Sequence, residues 1–324
     1  MDWRERFAAY AAAKLPSAEA VRVAAVGSMP AGASNDTVAL DLEVVCDGIP
    51  AILPLVLRPQ RRDGILAPYD VGRQYRVLRA LKQTAVPVPT AAWYEPDDAV
   101  LGAPFFVMHR LQAETLPLIW YGETAARLPA AATALAAIHA VDWRRAGLDF
   151  LIERTPGAPM PSPIDSELQA WRVKARRLGL ADDETIAAIE SYLVRNEPTD
   201  ARHALVHGDP NPGNYLFRGP GVVAVVDWEL AAIGDPRSDL GFYAGLMAVF
   251  GGASAHNGRT VLSNAYEAVT ARPLTNLEYY EAFGLYRMLV VMAGWGSRGF
   301  GGFYGNDYIT LRLDSLLGPG WRRG

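Results

Sequence analysis

Several things are scarce in this sequence. Its 324 residues hold a single cysteine, Cys46, so no intrachain disulfide can form, which fits a reducing cytoplasm. Cys46 sits in the apolar stretch LEVVCDG and is expected to be a small buried hydrophobe rather than a reactive thiol. Three of the 31 basic residues are lysines (Lys14, Lys82, Lys174). No block of positive charge interrupts a net charge of −4, which argues against nucleic acid or an anionic membrane as a partner. No late apolar run, including the one around MLVVMAGWG, approaches the roughly 20 residues that a bilayer-crossing helix needs. The opening MDWRERFAAYAAAKL carries charges where a signal peptide would be apolar and reads as an amphipathic helix, so secretion is not expected. Internal repeats and low-complexity linkers are also missing, and oligomeric state has no signature.

Half of the residues are hydrophobic and one in five is charged, enough to bury a large core, and the length suggests two lobes. The first third alternates strand-like and turn-like segments. Residues around 21–27, 37–46 and 50–58 are β-rich and separated by Met-Pro-Ala-Gly and Asp-Gly turns. Val71, Tyr75, Leu78 and Leu81 recur at helical spacing and predict a helix over 69–83, closed off by Pro87 and Pro89. Segment 103–111 reads as a buried strand. Beyond a boundary near 110–113 the pattern turns helical: 123–140, one or two helices over 165–196, and three or four over 239–318. The interruption is a β-rich island at 204–229. The expected fold class is α+β and bilobal, with a small β-rich lobe over 1–110 and a large helical lobe over 111–324.

The island reads LVHGDPNPGNYLFRGPGVVAVVDWELAAIGDPRSDL. Two β-prone stretches flank Gly219-Pro220-Gly221, a hairpin signal. Centring the turn between Pro220 and Gly221 sets Asn214 opposite Asp227, on one face of the ladder. An amide oxygen and a carboxylate meeting there, with phosphate oxygens, suit Mg²⁺. Asp209 precedes Asn214 across Pro-Asn-Pro-Gly, which cannot continue a helix and must loop. Base, metal-binding Asn and metal-binding Asp in this order match the phosphoryl-transfer template.

HGDPNPGN, followed by VVDWE and GDPRSDL, resembles the aminoglycoside phosphotransferase and choline kinase superfamily. The likeness is strongest to the bacterial branch similar to kinase domains fused to acyl-CoA dehydrogenases, and it spans roughly 20–300. It implies the two-lobed protein-kinase-like fold, with ATP and Mg²⁺ as cofactors and a small hydroxylated molecule as phosphate acceptor. It implies that Asp209 orients or deprotonates the acceptor hydroxyl, that Asn214 and Asp227 hold Mg²⁺, and that His207 and Asp239 brace the catalytic loop. Asp239, at a helix start, could equally be an N-cap. MPAGASNDTVALDLEV resembles the family's phosphate-covering turn, so Gly32, Ser34 and Asn35 are candidates to meet the phosphates. All three lysines fall in helical segments, which leaves Arg58, closing the strand AILPLVLR, as the phosphate cation. The helix partner of that cation is a glutamate in the family; here Gln74 stands in its place, with Asp70 on the same face as a possible substitute. The adenine is expected against the segment after VMHRL, with Met108 packing behind it and backbone groups near His109 and Leu111 reading it.

Two other readings compete. A metal-dependent hydrolase could use His207, Asp209, Asp227 and Asp235, although the remaining histidines are scattered and His139 reads as a packed helix residue. A catalytically weak nucleotide-binding protein is suggested by Gln74 alone. As for the acceptor, Glu267, Glu278, Glu281 and Asp307 form no dense acidic cluster of the kind a polycationic antibiotic would need. The glycine-aromatic stretch 295–304 suits a less charged ligand, such as a hydroxylated acyl compound.

Overall fold

The structure is a computed structural model that describes residues 2–28, 37–64, 66–117, 122–152, 159–250, 258–296, 305–318 and 320–322. The chain divides into two compact units, residues 1–82 with 88–112 and residues 83–87 with 113–324. A single boundary near 110 does not capture the excursion of 83–87 into the second unit.

In the first unit, helix α1 (Trp3–Lys14) is followed by strands β1 (Ala20–Ser28), β2 (Val38–Cys46) and β3 (Ile49–Pro59), helix α2 (Val71–Leu81), and strands β4 (Ala91–Glu95) and β5 (Phe105–His109). The strands form one antiparallel sheet in the order β1-β2-β3-β5-β4. Asp47 and Gly48, both at positive φ (51° and 72°), join β2 to β3 in the two-residue turn that matches strand twist. Leu40, Leu42 and Val44 alternate on β2 and face the same core as Phe7, Tyr10 and Ala11 of α1. Cys46 departs from expectation. It ends β2 opposite Ile49 at the open tip of the hairpin and is exposed, because the core strip stops at Val44. Strand β4 is also an addition: AAWYE has no alternation to announce it, and its pairing with β5 defines it.

The second unit contains α3 (Leu128–His139), α4 (Pro163–Arg177), α5 (Glu184–Arg195), β6 (Ala204–Val206), β7 (Tyr215–Arg218), β8 (Gly221–Val225), β9 (Ala232–Gly234), α6 (Pro236–Phe250), α7 (Val261–Thr270), α8 (Leu277–Gly296) and α9 (Gly305–Leu317). The expected stretch 165–196 is two helices. Ser162 caps the first through the Asp165 N–H, and Asp183 caps the second through the N–H groups of Thr185 and Ile186. Helices α6 and α8 meet backbone to backbone. A β-carbon on Gly284 would run into the Gly241 carbonyl, and one on Gly241 into the Tyr280 carbonyl. Gly284→Ala should therefore push the helices apart and cost roughly 1–3 kcal/mol or more, read from the urea midpoint. No described helix is long and apolar enough to cross a membrane.

Candidate active site

The site is assembled on the short β6–β9 and β7–β8 pairs of the second unit. Strand β6 delivers the chain into the loop 207–214, which ends in a single 3₁₀ turn, Pro212–Asn214, before β7. Proline at 210 and 212 keeps this loop from becoming helix. Within it, Asn211 accepts from Gly213 N–H (2.8 Å) and donates to Asp209 Oδ1 (2.9 Å). The Asn214 amide donates to Asp209 Oδ2 (3.1 Å) and to the Asp209 carbonyl (2.8 Å). Both oxygens of the Asp209 carboxylate are thus held in place. Burial pushes the Asp209 carboxyl above the usual range and the charge of Asp227 adds to this, against the hydrogen bonds from Asn211 and Asn214.

Asp227 reaches this neighbourhood by a route other than the expected ladder pairing. Arg218 pairs with Gly221, so the turn is only Gly219-Pro220, and Val223 is an extra residue bulged out between the pairs Leu216–Ala224 and Phe217–Val222. The register is shifted, and Asn214 faces Val226, whose N–H donates to the Asn214 carbonyl at 2.9 Å. Asp227 follows in the left-handed conformation (φ 66°, ψ 57°) and leads into a 3₁₀ turn, Trp228–Leu230. That backbone turn, not a cross-strand pairing, sets the direction of the Asp227 side chain.

His207 and Asp239 hold the loop from behind. His207 Nε2 donates to the Val226 carbonyl (2.9 Å) and Nδ1 accepts from Asp209 N–H (3.2 Å), so one imidazole ties the loop to the residue before Asp227. Asp239 lies in the first turn of α6 and is wholly buried. It accepts from the backbone N–H groups of His207 (2.8 Å) and Gly208 (2.7 Å), and Oδ2 also meets His139 Nε2 at 2.9 Å. Burial alone would push this carboxyl up, but the bond and charge of His139, with His207, outweigh it and hold the carboxyl below the usual range. The cap at the start of α6 is Asp235 instead, which accepts from Arg237 N–H (2.9 Å).

Three residues that sequence reasoning did not assign complete the support. His139 is buried on α3, as expected of a packed helix residue, yet both ring nitrogens are engaged, one with Asp239 and one with Tyr266 Oη (2.9 Å). Arg287 of α8, 1% exposed, donates to the Gly208 carbonyl and lies over the rings of Trp171 and Phe242. Buried Glu167 of α4 accepts from Ser238 Oγ (2.9 Å), and burial pushes its carboxyl up to about 8 against the pull of Arg287. The available signal was weak: a histidine, an arginine and a glutamate, each standing on an otherwise apolar helix face.

The first unit carries the remaining candidates. Arg58 lies on β3, 7% exposed and opposite Phe106. Gln74 is buried on α2, and its Nε2 has no hydrogen-bond partner among the described residues. Asp70 does not stand in for the missing glutamate: it is exposed and spent as the N-cap of α2, accepting from Arg73 N–H at 2.8 Å. Met108 is buried on β5. The N–H groups of His109 and Arg110 go to the carbonyls of Thr90 and Pro54 (both 2.9 Å), and Leu111 follows them, half-buried. Gly32, Ser34 and Asn35 lie outside the described residues. Among the described residues no group of three His, Cys, Asp or Glu side chains is arranged to hold a metal ion.

Residues 28–275 match the model of the phosphotransferase enzyme family. The chain belongs to that family. Among curated proteins it is 28% identical over 250 residues to acyl-CoA dehydrogenase family member 11 of Gallus gallus, covering 70% of this chain and 31% of that protein. Against member 10 of Mus musculus it is 30% identical over 200 residues, covering 58% of this chain and 18% of the relative. The chain thus spans less than a third of the length of these relatives. Among solved structures, the thermostable mutant of aminoglycoside phosphotransferase APH(4)-Ia in ternary complex with AMP-PNP and hygromycin B superposes with a TM-score of 0.63 at 17% identity, covering 97% of this chain and 99% of that one. The likeness shows the bilobal kinase-like fold.

Proposed function

We propose that the protein is an ATP-dependent phosphotransferase that moves the γ-phosphate to a hydroxyl of a small molecule, a hydroxylated acyl compound in preference to an antibiotic. The observation that carries this reading is the Asp209 carboxylate, held at both oxygens by Asn211 and Asn214 on a braced loop and within electrostatic reach of Asp227. Asp209 takes the role of base. It accepts the acceptor hydroxyl's proton as the oxygen attacks phosphorus. Asn214 and Asp227 would hold Mg²⁺. The donor set fits a hard ion that keeps waters and phosphate oxygens as its other ligands, since it offers one amide oxygen and one carboxylate. Bound there, the ion supplies neutralisation of phosphate charge. Arg58 would meet the phosphates bidentately and Leu111 would read the adenine, with Met108 behind it. Gln74 can hydrogen-bond a guanidinium without adding charge.

Support for ATP comes from the nucleotide analogue bound by APH(4)-Ia, and support for an acyl acceptor from the acyl-CoA dehydrogenase relatives. Two of the acids that a polycation could use are also engaged elsewhere. Glu267 pairs with Arg259 at 2.7 Å, and Glu281 is buried against Arg312 at 2.7 Å. An ATP-consumption screen over hydroxy acids, their CoA esters, amino alcohols, sugars, macrolides and aminoglycosides tests the reading, with Asp209→Asn as control. Turnover is expected with a hydroxylated acyl compound. Stabilisation by Mg-ATP with no turnover of any acceptor would support the catalytically weak alternative. Asp227→Ala should abolish Mg-dependent nucleotide binding in calorimetry, and unchanged Mg-ATP affinity would remove its metal role.

A further inference from the structure

Away from Asp209, the second unit has a cavity of about 580 Å³ at the C-terminal ends of α3 and α7, beside the first turn of α6 and the connection 271–275. Its charged wall contains Asp200, Asp235, Arg202, Arg237, Arg272 and His139. The two carboxylates are already committed. Asp235 accepts from Arg237 Nε (2.9 Å) and from the Arg202 backbone N–H (2.8 Å), and Asp200 accepts from Arg237 Nη1 (3.0 Å). The guanidiniums of Arg202 and Arg272 pair with no acid among the described residues, and both act electrostatically on Tyr266 in the cavity wall. The lining also includes the apolar side chains of Val269, Pro273 and Leu274. The cavity therefore offers two exposed positive heads, an apolar wall and no uncommitted carboxylate.

We infer that this cavity is a second ligand site, one that takes a small organic anion: a carboxylate on a short apolar body. Arg202 and Arg272 hold the carboxylate by charge-assisted hydrogen bonds, and the body lies against Val269 and Leu274. The floor of the site gives binding a readout at the catalytic loop. Tyr266 Oη meets His139 Nδ1 at 2.9 Å, and His139 Nε2 meets the Asp239 carboxylate that holds the His207 and Gly208 N–H groups. A ligand that shifts Tyr266 reaches the loop through three successive hydrogen bonds. The inference does not depend on the acceptor or on catalysis.

Titration of nucleotide-free protein with benzoate, followed by NMR of the histidine imidazoles, tests it. Benzoate is expected to shift the His139 ring signals saturably. Benzamide, the uncharged isostere, should not. Arg202→Ala/Arg272→Ala should bind benzoate about tenfold to a hundredfold more weakly, the scale of a lost charged hydrogen bond. Both side chains are exposed, and the Arg202 hydrogen bond to Asp235 is made by its backbone N–H, which the substitution keeps, so an unchanged urea midpoint will confirm that the double variant is intact. Arg272→Gln alone gives a milder second test, with an intermediate loss expected. No saturable shift with benzoate, equal binding of benzamide, or undiminished binding by the double variant overturns the site. Inorganic phosphate binding as tightly as benzoate overturns the assignment to an apolar-bodied carboxylate.

Discussion

Asp209→Asn should lower phosphoryl transfer by about 10²–10⁴, the usual scale for loss of a general base, with Mg-ATP affinity largely kept. The substitution preserves shape and removes the proton-accepting oxygen. It also disturbs a specific arrangement. Asn211 and Asn214 each donate to one carboxylate oxygen, at 2.9 and 3.1 Å, and an amide at 209 can accept from only one of them. The other donor must turn away. Against this, the variant loses a charge that burial and Asp227 both disfavour, so the thermal midpoint should not fall in step with the rate. Steady-state kinetics on whichever acceptor the screen identifies, with calorimetry for nucleotide binding, separates the two. Turnover close to that of the unaltered protein would remove Asp209 from the centre of the mechanism.

Asp239→Ala should act on the fold rather than on chemistry alone. The carboxylate is the shared acceptor for His207 N–H, Gly208 N–H and His139 Nε2, all buried. Removing it leaves three donors unpaired away from water, each costing about 1–3 kcal/mol. A total loss of about 3 kcal/mol or more is a large share of the 5–15 kcal/mol that typically separates native from unfolded chains. Urea unfolding should show a clearly lower midpoint, and any folded fraction should have a displaced loop and little activity. Asp239→Asn should be milder, because one oxygen remains to accept. A midpoint unmoved in the alanine variant would show that the loop does not depend on this carboxylate.

The contrast between those residues also explains what could be read in the amino-acid order. Asp209, Asn214 and Asp227 sit in one short string whose prolines and glycines dictate a loop and a hairpin, so their proximity was legible. The Asp47-Gly48 turn and the alternation of Leu40, Leu42 and Val44 were equally plain. The register of the later hairpin was not. Val222-Val-Ala-Val-Val226 is apolar throughout, so it favours no face, and the bulge at Val223 leaves no mark in such a run. The exposure of Cys46 depends on where a core ends, which is a property of the folded sheet. His139, Glu167 and Arg287 find their hydrogen-bond partners 49 to 127 residues away, and no local pattern encodes that.

The glycine contact between α6 and α8 bears on how the loop 207–214 can be tuned. Asp239 on one helix and Arg287 on the other both grip the loop, within a turn of Gly241 and Gly284 respectively. The gap between the two grips is set by main-chain atoms in contact, with no side chain between them to trim or exchange. Substitution there can only add bulk, and the smallest addition is a methyl group. The loop's supports therefore have a fixed minimum separation, and substitution at that crossing can only widen it.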